Sequence, residues 1–168
     1  MIKVEDVYFA YPNGVEALKG VSLEIQDSEF VAIMGQNGAG KTTLVKHISG
    51  LLRPSRGRVS VDDTETTKMS VATLARKVGF VSQNPDHQLF SETVEEEISF
   101  GLRNFGFEEK TIKERVDWAL NLLDLTEYRG VSPFMLSGGE RKRVALASVL
   151  AWDCLLYTSP SPRDRTRS

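Results

Sequence analysis

The stretch FVAIMGQNGAGKTT, residues 30–43, constrains the fold of this chain more than any other. Its first five residues form a short, continuous apolar run, the pattern of a strand buried on both faces of a sheet. The run leads directly into GQNGAGKT, which fits G-x-x-x-x-G-K-[ST] at every fixed position. Gly35, Gly38 and Gly40 allow sharp turns that aim the backbone N–H groups around Gln36, Asn37 and Ala39 into one concavity, a nest for an anion. LVKHISG then reads as a helix closed by Gly50, and the dipole at its N-terminus adds to the same point. In such a loop Lys41 reaches the outer phosphates of a nucleotide and the Thr42 hydroxyl ligates Mg²⁺, with Thr43 following in the same turn.

Around this loop the pattern is that of an α/β chain. IKVEDVYFAY and VSLEI read as two strands joined through the turn-prone PNGVEALKG, and GRVSVDD and VGFVS as further strands. From Ser91 the period changes from two to 3.6. SETVEEEISFGLRNF and EKTIKERVDWALNLLDL read as helices, with Ile112, Val116, Ala119, Leu120 and Leu123 on one stripe. A last helix is expected from about Ser137 to Trp152. A length of 168 residues suits one domain. The N-terminus is not a signal peptide, and no apolar run approaches the length of a membrane span. Residues 1–153 carry a net charge of −4, which argues against nucleic acid as the main partner. The single Cys154 excludes a disulfide framework and fits a reducing compartment.

LSGGERKR, residues 136–143, narrows the reading. Ser137 and two glycines at a helix start form a second N-terminal anion site, weak alone but specific when it follows a phosphate loop and a helical stretch. The chain resembles the ATP-binding subunits of ABC transporters, whose signature motif is Leu-Ser-Gly-Gly-Gln. Leu136, Ser137, Gly138 and Gly139 match it, and Glu140 stands where Gln is usual. The resemblance implies a P-loop ATPase fold with N-terminal antiparallel strands and a helical insertion at about 91–136. It also implies ATP and Mg²⁺ as cofactors, and a head-to-tail dimer in which one subunit's signature closes over ATP held by the other's phosphate loop.

Further family elements fall in order. Tyr11 matches the aromatic that stacks on adenine, the alternative being a strand-end aromatic that fills the core. Gln83 matches the Q-loop glutamine, which touches Mg²⁺ beside Thr42 and senses the membrane partner. His87, beside Asp86, is too poor in companions for a metal site and reads as a solvated loop residue. His47 reads as packed or solvated, and the acidic run 95–97 as a solvated helix face. NPDHQLF, YPNGVEALKGVSLEI and RKRVALASVLAWD look most like the energy-coupling factor subgroup, which drives uptake of vitamins or of cobalt and nickel ions. That likeness implies a transmembrane scaffold and a substrate-capture membrane protein as partners, no nucleic acid, and a peripheral place on the cytoplasmic face of a prokaryotic plasma membrane.

The same family continues past its signature helix into a strand ending in the Walker B aspartate, then a catalytic glutamate and a switch histidine. None of these is found after Asp153, and no His follows residue 87. The expectation is therefore a partial ATPase domain over 1–153, with its core sheet incomplete and no catalytic residue present. CLLYTSPSPRD resembles the translation of a transposase adapter from library preparation. Residues 154–168 are accordingly expected to be a disordered, non-native tail, against the alternatives of a natural disordered tail or a basic Ser/Arg segment. Two functional rivals stand beside the transporter reading. One is a non-transport ABC ATPase acting on ribosomes; a DNA-repair type fails because only 52 residues separate Gln83 from Leu136, without heptads. The other is a nucleotide-binding fragment that does not hydrolyse.

Overall fold

The computed structural model describes residues 1–152, so the expectation for 154–168 lies outside the described residues. They divide into two units, Met1–Val78 and the described part of Gly79–Tyr157.

The first unit is built on an antiparallel sheet of β1 (Ile2–Ala10), β2 (Glu16–Ile25), β3 (Arg56–Val61) and β4 (Thr64–Glu65), in the order β2-β1-β3-β4. Alternation turns Ile2 and Val4 inward on β1, opposite the equally buried Val61 and Val59 of β3. Val7 also faces the core, out of alternation, because the pairing register shifts between Val4 and Val7, where Asp6 takes φ 48°. Helix α1 (Lys41–Ile48) adds Leu44 and Ile48 to this core. Helix α2 (Val71–Ala75), whose Ser70 cap accepts from the Thr73 N–H, adds Leu74. The β3–β4 hairpin turns on Asp62 and Asp63, at φ 48° and 58°. A two-residue hairpin of this kind needs two left-handed residues, which Asp tolerates. The Asp62 carboxylate is held by Lys77 at 2.9 Å and by the N-terminal amine at 3.2 Å.

Three strand expectations are corrected here. The connection between β1 and β2 is shorter than PNGVEALKG. Tyr11 N–H donates to Val15 and Gly14 N–H to Tyr11, so the turn is complete by residue 15 and β2 begins at Glu16. The run 30–34 belongs to no strand, and it is open to solvent, with Phe30 96% and Met34 89% exposed. A strand exists only through lateral pairing, and no described strand flanks this run. VGFVS, 78–82, likewise lacks a ladder, although Val78 is buried in the core of the first unit. The sheet that forms is thus the N-terminal antiparallel one.

The second unit is helical: α3 (Val94–Asn104), α4 (Glu109–Leu122) and α5 (Gly138–Leu150). A capping box starts α3, with Thr93 Oγ1 accepting from Glu96 N–H and the Glu96 carboxylate accepting from Thr93 N–H. The stripe on α4 is as the period requires: Ile112, Val116, Ala119 and Leu120 are buried, and Leu123 packs at the edge. They meet Ile98 and Leu102 of α3 and Val144, Ala145 and Ala147 of α5, whose small side chains let the helices approach closely. At Gly101 the approach is tightest, since a Cβ there would lie 2.4 Å from the Trp152 ring. Arg129 ties α3 to α4 through Glu95, at 2.9 Å, and Asp117.

The acidic run 95–97 departs from expectation. Glu95 and Glu96 lie toward solvent, but Glu97 is only 4% exposed, and its Oε2 accepts from the Phe90 and Ser91 N–H groups at 3.0 and 2.8 Å. Successive helical residues are about 100° apart, so Glu95 and Glu97 differ by about 200° and one of the run turns inward, where these donors satisfy its charge. Among the described residues no helix is long and apolar enough to cross a membrane.

Candidate functional site

In the first unit the phosphate loop hangs between the apolar run 30–34 and α1. Gly38 and Gly40 take φ 84° and 87°, left-handed values that only glycine adopts freely, and they fold the chain back into the start of the helix. Gly40 is also pressed against β2. A Cβ on it would lie 2.4 Å from the Ala17 carbonyl oxygen and 3.1 Å from Leu18 Cδ2, so side chain and conformation both exclude any other residue. The Ala39 N–H donates to the Gln36 carbonyl at 3.2 Å, closing the loop on itself.

Lys41 opens α1 and curls back over the loop, donating to the carbonyls of Gly35 and Gln36, both at 2.7 Å. Its ammonium therefore sits above the concavity. No acidic residue stands in the first turn of α1, and no side chain caps it, so the partial positive charge of the helix start is uncompensated. The donor set suits a polyphosphate: backbone N–H groups, a helix N-terminus and a primary ammonium. The Thr42 side chain is exposed at the mouth, as a Mg²⁺ ligand must be. Thr43 is buried instead, and its Oγ1 shares a 2.9 Å hydrogen bond with the Tyr11 hydroxyl.

That bond places Tyr11 beside the first turn of α1 at the end of β1, half-buried, its ring edge-on to Phe9 at 5.0 Å. One side of Tyr11 packs against Phe9 and the rest is open to solvent. His47 packs fully. It is 0% exposed, its Nδ1 bonds the Thr43 carbonyl at 2.7 Å, and its ring stands edge-on to Phe9 at 4.7 Å.

In the second unit two expected elements come together. Gln83 and Gly138 line one open cleft of about 590 Å³, together with Asn84, Asp86, His87, Arg141 and Lys142 among others. Gln83 and His87 are exposed at its rim. Ser137 caps α5 with a second capping box. Its Oγ accepts from Glu140 N–H at 3.3 Å, and the Glu140 carboxylate accepts from Ser137 N–H at 2.7 Å. Glu140, standing where the signature motif has Gln, is thus bound into the helix start. Its bonds from Ser137, and then one from the Tyr128 hydroxyl, hold its carboxyl below the usual carboxylate range, and the same contact raises the Tyr128 hydroxyl above its ordinary value. Leu136 is buried and anchors the turn, while Gly138 and Gly139 are exposed, with nothing within 4 Å of where a side chain would stand.

Four residues were not anticipated. Gln88 accepts from Ser82 N–H at 3.0 Å and donates to the Ala145 carbonyl at 3.4 Å. Asp86 pairs with Arg141 at 2.8 Å, and Glu97 holds residues 90 and 91. The Asp86–Arg141 and Gln88–Ala145 contacts join positions distant in sequence, and only the NPDHQLF pattern after Gln83 marked the region.

Comparison with known proteins agrees with this geometry. The family described as ABC transporter matches residues 18–157. The chain is 44% identical over 160 residues to the energy-coupling factor transporter ATP-binding protein EcfA2 of Clostridium tetani, covering 90% of this chain and 56% of the relative. A solved structure of cbiO1 from Clostridium perfringens, described as part of the ABC transporter complex cbiONQ, superposes with TM-score 0.80 at 38% identity, covering 91% of this chain and 62% of that one. The ATP-binding cassette MJ0796, in a dimeric post-hydrolysis state bound to ADP and Pi, superposes with TM-score 0.82 at 31% identity, covering 92% and 71%. The chain spans 26% to 60% of the length of the curated relatives it matches. By its matched residues, phosphate loop and capped signature helix, this chain belongs to the ABC transporter family, as part of its ATP-binding, P-loop domain.

Proposed function

We propose that this chain is part of the ATP-binding subunit of an energy-coupling factor importer, which powers uptake of a micronutrient such as a vitamin or a cobalt or nickel ion. The observation that carries the nucleotide half is the loop at 35–43, where Lys41 overhangs a glycine nest at an uncompensated helix start. The likeness to EcfA2 and cbiO1 supports the importer half.

In this reading Gln36, Asn37, Gly38, Ala39 and Gly40 present their N–H groups to the β- and γ-phosphates, and Lys41 leaves the carbonyls of Gly35 and Gln36 to meet them. Tyr11 stacks on the adenine, Thr42 and Gln83 hold Mg²⁺, and Thr43 steadies Tyr11. Leu136, Ser137, Gly138, Gly139 and Glu140 form the turn that closes over ATP held by a second ATPase subunit. Bound Mg²⁺ would neutralise phosphate charge during γ-phosphoryl transfer. The chain binds nucleotide but does not turn it over at a useful rate, because the catalytic glutamate and switch histidine of the family are not found in its sequence. The parent protein works peripherally on the cytoplasmic face of the membrane, bound to a transmembrane scaffold and a substrate-capture protein.

The test has two parts. Titration of the purified chain with a fluorescent ATP analogue and Mg²⁺ should show saturable binding that Lys41→Ala weakens by about tenfold or more, the loss of one charge-assisted contact to phosphate. Phosphate release should stay at background. Absence of binding removes the nucleotide reading, and release at the rate of an intact ATPase removes the claim of no turnover. Copurification of the tagged parent with membrane proteins supports the importer, whereas recovery with ribosomes favours the non-transport rival.

A further inference from the structure

Gln83 begins a loop that behaves as a braced body. Ser82 N–H donates to Gln88 Oε1, Asn84 Oδ1 accepts from Asp86 N–H at 3.1 Å, and the N–H groups of Gln88 and Leu89 both reach the Pro85 carbonyl, at 2.9 and 3.0 Å. Pro85 is buried beneath it. At its far end, Glu97 fixes residues 90 and 91. A segment tied at so many internal points shifts as a piece more readily than it deforms.

One side chain connects this body to the turn that presents Ser137. Arg141, in the first turn of α5, forms an ion pair with Asp86, its Nε 2.8 Å from Oδ1 without the alignment of a hydrogen bond. Through Nη1 it donates to the Leu136 carbonyl at 2.6 Å. Leu136 immediately precedes the Ser137 cap. The planar guanidinium therefore bridges the loop on one edge and the signature backbone on the other, with 25% of the side chain exposed. The rigid, planar guanidinium is thus held by charge on one side and by a hydrogen bond on the other, and a shift of either partner moves the whole group, whereas a flexible ammonium would meet one or the other. A second tie, Gln88 to the Ala145 carbonyl, reaches α5 about one turn further along and does not touch the cap.

We propose that Arg141 is a positioning residue that couples the Gln83 loop to the signature turn: Asp86 pulls on its guanidinium, and the guanidinium sets the Leu136 carbonyl and hence Ser137. The functional meaning of this coupling rests on the reading that Gln83 and Ser137 serve nucleotide, but the mechanical link does not. If a partner protein or bound Mg²⁺ shifts the Gln83 loop, the Ser137 hydroxyl and the Gly138 and Gly139 N–H groups shift with it.

The test is amide hydrogen exchange on the 168-residue chain with Asp86→Asn, Arg141→Lys and the double variant. The reporters are the amides of Leu136, Ser137 and Glu140, whose bonds define the cap. Amides of Ile98, Leu102 and Leu120 serve as controls in the helical core. Asp86→Asn should speed exchange of the reporters by about 5- to 10-fold, the size of coupling between contacting charged groups, and leave the controls unchanged. Arg141→Lys should do the same while keeping its charge. In the Arg141→Lys background, Asp86→Asn should add less than about twofold, because the route is already cut. Asp86→Glu, which keeps the charge, should stay near wild type and covers the case in which the Asn variant loses the loop altogether. Unchanged reporters in Asp86→Asn, or fully additive effects in the double variant, overturn the coupling. A chain that shows the coupling but binds no MgATP upholds the link and overturns the nucleotide reading alone.

Discussion

Glu97 offers the sharpest test of how the second unit holds the segment after Gln83. Its carboxylate is 4% exposed, and a single oxygen, Oε2, accepts from Phe90 and Ser91 N–H at 3.0 and 2.8 Å. A hydrogen bond to a charged group is worth roughly 1.5–3 kcal/mol net, and an unsatisfied buried donor costs a comparable amount. Both donors are only part-buried, and part of the gain is offset by desolvating the carboxylate. Glu97→Ala should therefore destabilise the unit by about 3 kcal/mol. Glu97→Gln keeps an oxygen at the same place, but neutral bonds are roughly half as strong, so about 1 kcal/mol is expected. The assay is urea unfolding followed by tryptophan fluorescence. Trp118 and Trp152 are the chain's two tryptophans, and both lie in the Gly79–Tyr157 unit, so the signal reports on that unit. With a slope of about 1.5 kcal/mol per molar, Ala lowers the midpoint by about 2 M and Gln by less than about 1 M. Amide exchange at Phe90 and Ser91 should rise in the same order. An Ala variant within about 0.5 kcal/mol of wild type, the usual scatter of a surface substitution, refutes the clamp. A Gln variant as unstable as Ala shows that charge, not the position of the oxygen, is what the two donors need.

Three further outcomes are expected. Gly40→Ala should cost the first unit about 3 kcal/mol, from a left-handed alanine plus the approach to the Ala17 carbonyl, while Gly38→Ala, with nothing within 4 Å, should cost only the conformational part, about 1–2 kcal/mol; equal losses in thermal unfolding would contradict the steric account. Tyr11→Phe should retain affinity for a fluorescent ATP analogue within about threefold and lower thermal stability slightly by freeing Thr43 Oγ1, whereas Tyr11→Ala should lose about tenfold, the value of one stacked base; a Phe variant as weak as Ala would assign the role to the hydroxyl. The Asp62 carboxyl is held below its ordinary value, first by the hydrogen bond from Lys77 and further by the N-terminal amine. Its stabilisation is complete above the unfolded-state value near pH 4 and is lost as pH falls through the depressed folded-state value. Acid should then destabilise wild type more than Asp62→Asn, and parallel curves for the two would refute the assignment.

The elements legible in sequence were those whose cause is local. GQNGAGKT needs only its own glycines to make the nest, and Ser137 with Glu140 caps α5 within one turn. The stripe on α4 is periodic, and its burial follows. The failures all need a second piece of chain. Residues 30–34 carry the apolar content of a buried strand, but strand geometry is a property of a pair, and the described residues hold no partner beside them. Glu97 looked like its neighbours in composition. It turns inward because residues 90 and 91 return over α3 with two free N–H groups. Asp86 and Arg141 are ordinary surface residues until the fold brings a loop from before α3 against a helix after α4.

The two helix starts differ in a way that bears on their roles. At α1 the first turn has no acid and no side-chain cap, so its N–H groups and dipole are free for an external anion, and Lys41 adds a full charge. At α5 the chain supplies its own anion. The Glu140 carboxylate lies on the Ser137 N–H at 2.7 Å and is held below the usual carboxylate range by its bonds from Ser137. The Ser137 side chain is itself engaged with Glu140, accepting from its N–H and bonding its carboxylate, and the Gly138 and Gly139 N–H groups stand beside it. A helix start half-neutralised in this way is a poor anion site alone. In the proposed reading, the open start at α1 holds a nucleotide's phosphates and the capped start at α5 adds hydrogen bonds to those held by a second subunit, a role in which the Glu140 carboxylate is turned onto its own helix.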